Sequence, residues 1–116
     1  MSVKFQTVLY PVKDLDQAKA TFTALFGVAP HADSPYYAGY DIDGCEIGLV
    51  PGGHDHGMTG PEAYYDVVDI SATLEALQGA GAVVVQEPRD VAMGLLVAKV
   101  RDSEGNIIGV RQPPAG

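Results

Sequence analysis

The chain is predicted to adopt an α+β fold of two tandem β-α-β-β-β modules, and three observations carry that prediction. Its 14 Gly and 8 Pro are spread as punctuation between short patterned segments rather than gathered into a low-complexity tract. Two helical stripes each follow a β-rich segment. The second half also repeats the first, and a repeat fixes the architecture.

Residues 3–12 (VKFQTVLYPV) read as a strand, with Pro11 at its end or at a sheet edge. Asp14 stands where a helix N-cap belongs, and Leu15, Ala18, Phe22, Leu25 and Phe26 recur at helical spacing as far as Gly27. A short strand near 28–32 precedes strands at 36–42 and 45–50, which are joined by Asp43-Gly44, a dipeptide suited to a tight hairpin. Residues 51–62 (PGGHDHGMTGPE) have the composition of a linker. A strand at 63–68 follows, then Asp69 as a second cap and Ile70, Leu74, Leu77 and Ala80 as a second stripe before Gly81. Strands at 82–87, 94–101 and 106–111 complete the copy, with a turn at 102–105 before the last.

Val12-Lys13-Asp14-Leu15 matches Val67-Val68-Asp69-Ile70 at an offset of 55 residues, and Asp43-Gly44 through Leu49 matches Glu104-Gly105 through Val110 at an offset of 61. The chain therefore reads as one domain, with module one at about 1–51, a linker at 52–61 and module two at about 62–116.

Composition excludes whole classes of function. Seven Lys and Arg against 15 Asp and Glu give a net charge of −8, which disfavours nucleic acid and anionic membrane surfaces as partners. Cys45 stands alone, so no disulfide framework or cysteine zinc knuckle is expected. With no signal-peptide pattern at the start and no apolar run long enough to span a bilayer, the expected location is the cytoplasm.

The pieces Val12-Lys13-Asp14-Leu15-Asp16, Leu25-Phe26-Gly27, Val67-Val68-Asp69 and Asp102-Ser103-Glu104-Gly105-Asn106 occur in order across a duplicated chain. Together they resemble the vicinal oxygen chelate superfamily of glyoxalase I, extradiol dioxygenases and bleomycin-resistance proteins. The resemblance implies a cupped mixed sheet whose paired modules enclose a ligand cavity, and a homodimer. It also implies, for the enzymes of that superfamily, a divalent metal held by His, Gln or Glu from four strand positions. Carried over residue by residue, those positions fall on Thr7, Gly48, Ala63 and Gly109, with Glu62 one residue from the third. Glycine and alanine offer no donor and a threonine hydroxyl is a poor one, so the expectation is a glyoxalase-like protein lacking the metal ligands, with no cofactor.

Alternation along the strands then gives an expected ligand-binding lining of Thr7, Leu9, Glu46, Gly48, Val50, Tyr65, Ile107, Gly109 and Arg111, with one of Tyr36 or Tyr37 and Met93 at the rim. A Glu46–Arg111 pair would orient a ligand or form an ordinary strand-end pair. Gly48 and Gly109, at matching places in the repeat, mark strand curvature or room for a flat ligand. The expected function is metal-free binding of a small hydrophobic or aromatic molecule in the cup, the alternative being a glyoxalase-like lyase, isomerase or dioxygenase with an atypical or absent metal site, either metal-free with Glu46 as general base or using His54 and His56.

Three further features carry less. His54-Asp55-His56 reads as a solvated loop, a lid, or a metal or acid–base site, though its flanking glycines provide little rigidity. His31, beside Pro30, reads as a solvated turn residue. Cys45 has no neighbouring base to make it a nucleophile.

Overall fold

A computed structural model of the chain describes residues 3–114. Among these, eight strands and two helices follow one another as β1 (Lys4–Val12), α1 (Leu15–Phe26), β2 (Ala32–Ser34), β3 (Tyr37–Ile42), β4 (Cys45–Pro51), β5 (Glu62–Asp66), α2 (Ile70–Gly79), β6 (Val83–Ala92), β7 (Leu95–Arg101) and β8 (Ile107–Gln112). The α+β class and the twofold β-α-β-β-β order are those the sequence predicts. Two compact units result. Among the described residues, module one spans Gln6–Glu62, and module two comprises Ala63–Pro114 together with Val3–Phe5.

Each helix starts and stops for a local reason. Asp14 accepts from the Gln17 amide at 3.0 Å and Asp69 from the Ala72 amide at 3.0 Å, each satisfying one of the donors a helix start leaves open. Gly27, at φ 73, ends α1 in the left-handed conformation that glycine adopts without a Cβ penalty.

In module one the strand order is β2-β3-β4-β1, with β1 and β4 parallel and the other pairs antiparallel. Module two repeats this mixed pattern as β6-β7-β8-β5, with β5 and β8 parallel. The turn at Asp43-Gly44 has positive φ at both residues (53 and 82), as a two-residue hairpin requires. Asp41 braces it by accepting from the Gly44 amide at 3.0 Å. Sixty-one residues later Asp102 braces the matching turn, accepting from the Glu104 and Asn106 amides and from the Asn106 side chain.

The boundaries differ by more than one residue in three places. The short strand expected near 28–32 lies at Ala32–Ser34, and the strand expected at 63–68 begins at Glu62 and stops at Asp66. The strand expected to end at 87 continues to Ala92. Register shifts between Gln86 and Arg89 let it carry Pro88, and its place at the sheet edge spares the missing amide a partner.

Each module buries one face of its sheet under its helix. In module one Ala38, Tyr40 and Leu49 are fully buried, packed by Phe22, Phe26, Ile47 and Tyr10. A large side chain such as Leu49 contributes roughly 1.5–3 kcal/mol on burial. Tyr40 keeps its hydroxyl satisfied, 2.8 Å from Thr23 Oγ1 and donating to the Lys19 carbonyl at 3.2 Å. In module two Ile70 and Leu74 of α2 pack on Ala98, Val100 and Val110, with Val67 closing the cluster.

Candidate functional site

Because strand residues alternate, fixing the helix-side residues also fixes what the opposite face carries. In module one, Tyr10, Val12, Ala38, Tyr40, Ile47 and Leu49 pack under α1. The helix-free face therefore holds Thr7, Leu9 and Pro11 from β1, Tyr37, Gly39 and Asp41 from β3, and Glu46, Gly48 and Val50 from β4. The register aligns them as Thr7 with Glu46, Leu9 with Gly48, and Gly39 with Gly48.

Three polar side chains on this face are joined. The Tyr37 hydroxyl donates to Glu46 Oε2 at 2.5 Å, and His31 Nε2 lies 2.6 Å from Glu46 Oε1. Partial burial, and then the hydrogen bond to the Glu46 carboxylate, push the Tyr37 phenol well above the usual tyrosine range, since both disfavour a phenolate there. The Tyr37 ring lies over two glycines: a Cβ added at Gly48 would come within 2.5 Å of the hydroxyl and 2.7 Å of the ring, and one at Gly39 within 2.8 Å of the ring.

Module two repeats the device with a different strand. Leu96, Ala98, Val100, Ile108 and Val110 pack with α2, so Val97, Lys99 and Arg101 of β7 and Ile107, Gly109 and Arg111 of β8 take the other face. Tyr64 stands opposite Gly109 in the β5–β8 register, is 7% exposed, and its ring occupies the place a Cβ on Gly109 would need. Lys99 Nζ lies 5.9 Å from the centroid of that ring. Arg111 Nε lies 3.1 Å from Asp66 Oδ1.

Sequence comparison decides the family, because the profile of the Glyoxalase/Bleomycin resistance protein/Dioxygenase superfamily matches residues 4–110. The chain belongs to that superfamily. Comparison with curated proteins gave no match. Among solved structures, a hypothetical protein from Bacillus halodurans superposes with a TM-score of 0.77 at 14% identity, covering 100% of this chain and 98% of that one. Streptomyces coelicolor methylmalonyl-CoA epimerase in complex with 2-nitronate-propionyl-CoA gives 0.72 at 17% identity, covering 98% and 100%. The Mn(II)-bound glyoxalase from Novosphingobium aromaticivorans gives 0.70 at 18% identity, covering 94% of this chain and 38% of that one.

One of the four superfamily metal positions needs correction. Ala63 pairs with Ile108 and Tyr65 with Val110, both helix-side residues, and Val67 belongs to the core under α2. The helix-free side of β5 is thus the side of Glu62, Tyr64 and Asp66, one residue out of step with the expected lining. Tyr65 leaves the candidate lining and meets Phe5 edge-on at 5.8 Å. The repeat agrees with this facing, since Thr7 shifted by the 55-residue offset is Glu62, a carboxylate 5% exposed.

The donor set at the four positions is thus the Thr7 hydroxyl, the Glu62 carboxylate and two glycines whose Cβ space is filled by tyrosine rings. A divalent ion needs about three protein donors, so these residues do not fit one. Among the described residues no three His, Cys, Asp or Glu are grouped to hold a metal.

The remaining sequence-predicted residues divide. Leu9, Tyr37, Glu46, Gly48 and Val50 share one face of module one, and Gly109 and Arg111 one face of module two. Of the two charged residues expected in the lining, each finds a partner in its own module: Glu46 takes Tyr37 and His31, and Arg111 takes Asp66. Met93 sits at the tip of the β6–β7 hairpin with φ 49 and 96% exposure, a turn position and no part of a lining. His54 and His56 lie in a turn of 3-10 helix, where His56 Nδ1 bonds the Gly52 carbonyl at 3.0 Å. His31 was the residue missed. Its neighbours Pro30 and Ala32 say nothing about Glu46, which becomes its partner only through the folding of β2 and β3 onto β4.

Proposed function

We propose that this chain is a metal-free small-molecule binding protein of the glyoxalase/bleomycin-resistance type, taking a hydrophobic or aromatic metabolite against a helix-free sheet face. One observation carries the reading: at Gly48 and Gly109, where metal-dependent relatives would place donors, Tyr37 and Tyr64 fill the space with the protein's own rings. The module-one face around Tyr37 has the makeup of an organic ligand site, with apolar Leu9, Pro11 and Val50 beside a small set of fixed polar groups. Native mass spectrometry and metal analysis of protein purified without chelator test the proposal. The expected result is an organic adduct or exchangeable small molecule and less than stoichiometric metal. Stoichiometric zinc, nickel, manganese or iron overturns it.

A second reading, a lyase or isomerase working by proton transfer, is favoured by the His31–Glu46–Tyr37 chain. Both Glu46 oxygens already accept hydrogen bonds, so the open proton acceptor is His31 Nδ1, with Glu46 as its positioning residue. Methylmalonyl-CoA epimerase among the structural neighbours keeps this reading in view. Turnover of any acyl thioester that is abolished in His31→Ala and retained in His54→Ala would favour it over binding alone.

A further inference from the structure

The chain is strongly acidic, yet its few cations are not spread evenly. Of its seven Lys and Arg, five belong to module two, which has seven acidic residues and a net charge of −2. Module one has two cations against eight acidic residues, a net charge of −6. The register sharpens this bias. Arg89 pairs with Val97, Val97 with Arg111, Lys99 with Gly109 and Arg101 with Ile107, so four cationic side chains share the helix-free face of module two.

The acidic residues of that module lie elsewhere, with one exception. Asp69 and Glu75 belong to the cap and body of α2, Asp102 and Glu104 to the turn before β8, and Asp90 pairs with helix-side Leu96. Glu87 lies in the register shift of the edge strand. Asp66 shares a paired position on the face, opposite Arg111, and the buried Glu62, counted with module one, heads β5 on the same side.

The fold does not require these cations. At equivalent positions of the repeat, module one has Gly39 for Lys99, Asp41 for Arg101, Val50 for Arg111 and Pro11 for Asp66, and it builds the same sheet. Nor is Arg111 fully spent on Asp66. The two atoms in contact, Arg111 Nε and Asp66 Oδ1, are sealed from solvent and form an ion pair at 3.1 Å without a hydrogen bond, which leaves donor capacity on the guanidinium unused. A half-buried guanidinium held in this way, among partly buried Val97 and Ile107, suits an acidic group attached to an apolar body.

We propose that the helix-free face of module two binds an organic anion, a carboxylate on an apolar or aromatic body, with Arg111 as the main contact and Arg101 and Lys99 supplying field. This rests on the small-molecule reading above and assigns a ligand class to the module-two face, separate from the module-one face around Tyr37.

The test is an amide-NMR titration of the full chain with 2-naphthoate, its neutral isostere 2-naphthamide, and inorganic phosphate. 2-Naphthoate should shift the amides of Val97, Gly109 and Arg111 and bind roughly tenfold or more tighter than 2-naphthamide. Arg111→Gln should remove most of that preference. Arg101→Gln, at an exposed position where folding is not at risk, should weaken it several-fold, while Lys13→Gln leaves it unchanged. Equal binding of acid and amide overturns the anion assignment and leaves the small-molecule reading intact. Binding of inorganic phosphate as tight as that of 2-naphthoate reduces the face to a simple ion site and also overturns it. Binding of neither naphthalene probe overturns the assignment too, whereas stoichiometric metal overturns the functional reading on which it rests.

Discussion

Module one and module two place a glycine at the same point of the repeat and cover it with a tyrosine, but they take the tyrosine from different strands. Tyr37 reaches Gly48 from β3, stays partly exposed and ties its hydroxyl to Glu46. Tyr64 reaches Gly109 from β5, directly opposite in register, and is buried. The two faces also carry opposite charge, with Asp41 and Glu46 on one and Lys99, Arg101 and Arg111 on the other. The duplicated scaffold thus fixes where a ring must lie, because a bare glycine in a strand leaves a gap to fill. It does not fix which chemistry surrounds the ring. Divergence at scaffold-neutral positions lets one fold present an acidic hydrogen-bonded face and a basic one.

The sharpest way to break this comparison is to remove the rings. Tyr64→Ala should cost about 3 kcal/mol or more in chemical denaturation, as for other buried aromatics, whereas Tyr37→Ala should cost clearly less because its ring already meets solvent. Equal losses would mean that the two rings are equivalent supports.

Adding a methyl group is the next test. In Gly109→Ala the new Cβ meets the buried Tyr64 ring, which has nowhere to go, and the expected loss is about 1–3 kcal/mol. In Gly48→Ala the Cβ meets Tyr37 and Leu9 side chains, and Tyr37 can swing outward, so the loss should fall at the low end of that range.

A smaller effect separates the modules by pH. The Tyr37 phenol has a raised pKa in the folded protein, so its contribution is fully present below the unfolded value of about 10 and is lost as pH rises above it toward the folded value. Stability should therefore fall above about pH 10, and Tyr37→Phe should flatten that decline. An unchanged alkaline slope in Tyr37→Phe would disprove the link.

The smallest effect concerns the turns. Hydrogen bonds from the Asn106 side chain and backbone hold the Asp102 carboxyl below its usual range, so its contribution is present above the unfolded pKa and lost as pH falls through the folded one. Asp102→Ala should lower the melting temperature by a few degrees at neutral pH and by less in acid. The module-one counterpart Asp41→Ala, with one hydrogen bond where Asp102 has three, should lower it less.

Much of the fold was legible in local signals. Asp14, Gly27 and Asp69 mark helix ends by their own backbone chemistry, and Asp43-Gly44 marks a hairpin because both residues tolerate positive φ. The candidate site was legible only in part. Leu9, Glu46, Gly48 and Val50 follow from alternation once one residue of each strand is placed. On β5 the expected lining starts from Ala63 rather than from Glu62, the repeat partner of Thr7, and a slip of one residue turns every side chain on a strand to the other face. Tyr65 was gained and Tyr64 lost for that reason alone.

The sequence by itself determined the tandem modules, the caps and turns and the acidic balance, because each depends on residue type or on spacing within a few residues. Tertiary structure alone decided that Glu46 pairs with His31 and Tyr37, that Arg111 pairs with Asp66, that two tyrosines roof two glycines, and that four cations gather on one face. Those outcomes depend on which strands become neighbours and in what register, and register is set by the packing of the whole sheet against its helix, which no local stretch of sequence encodes.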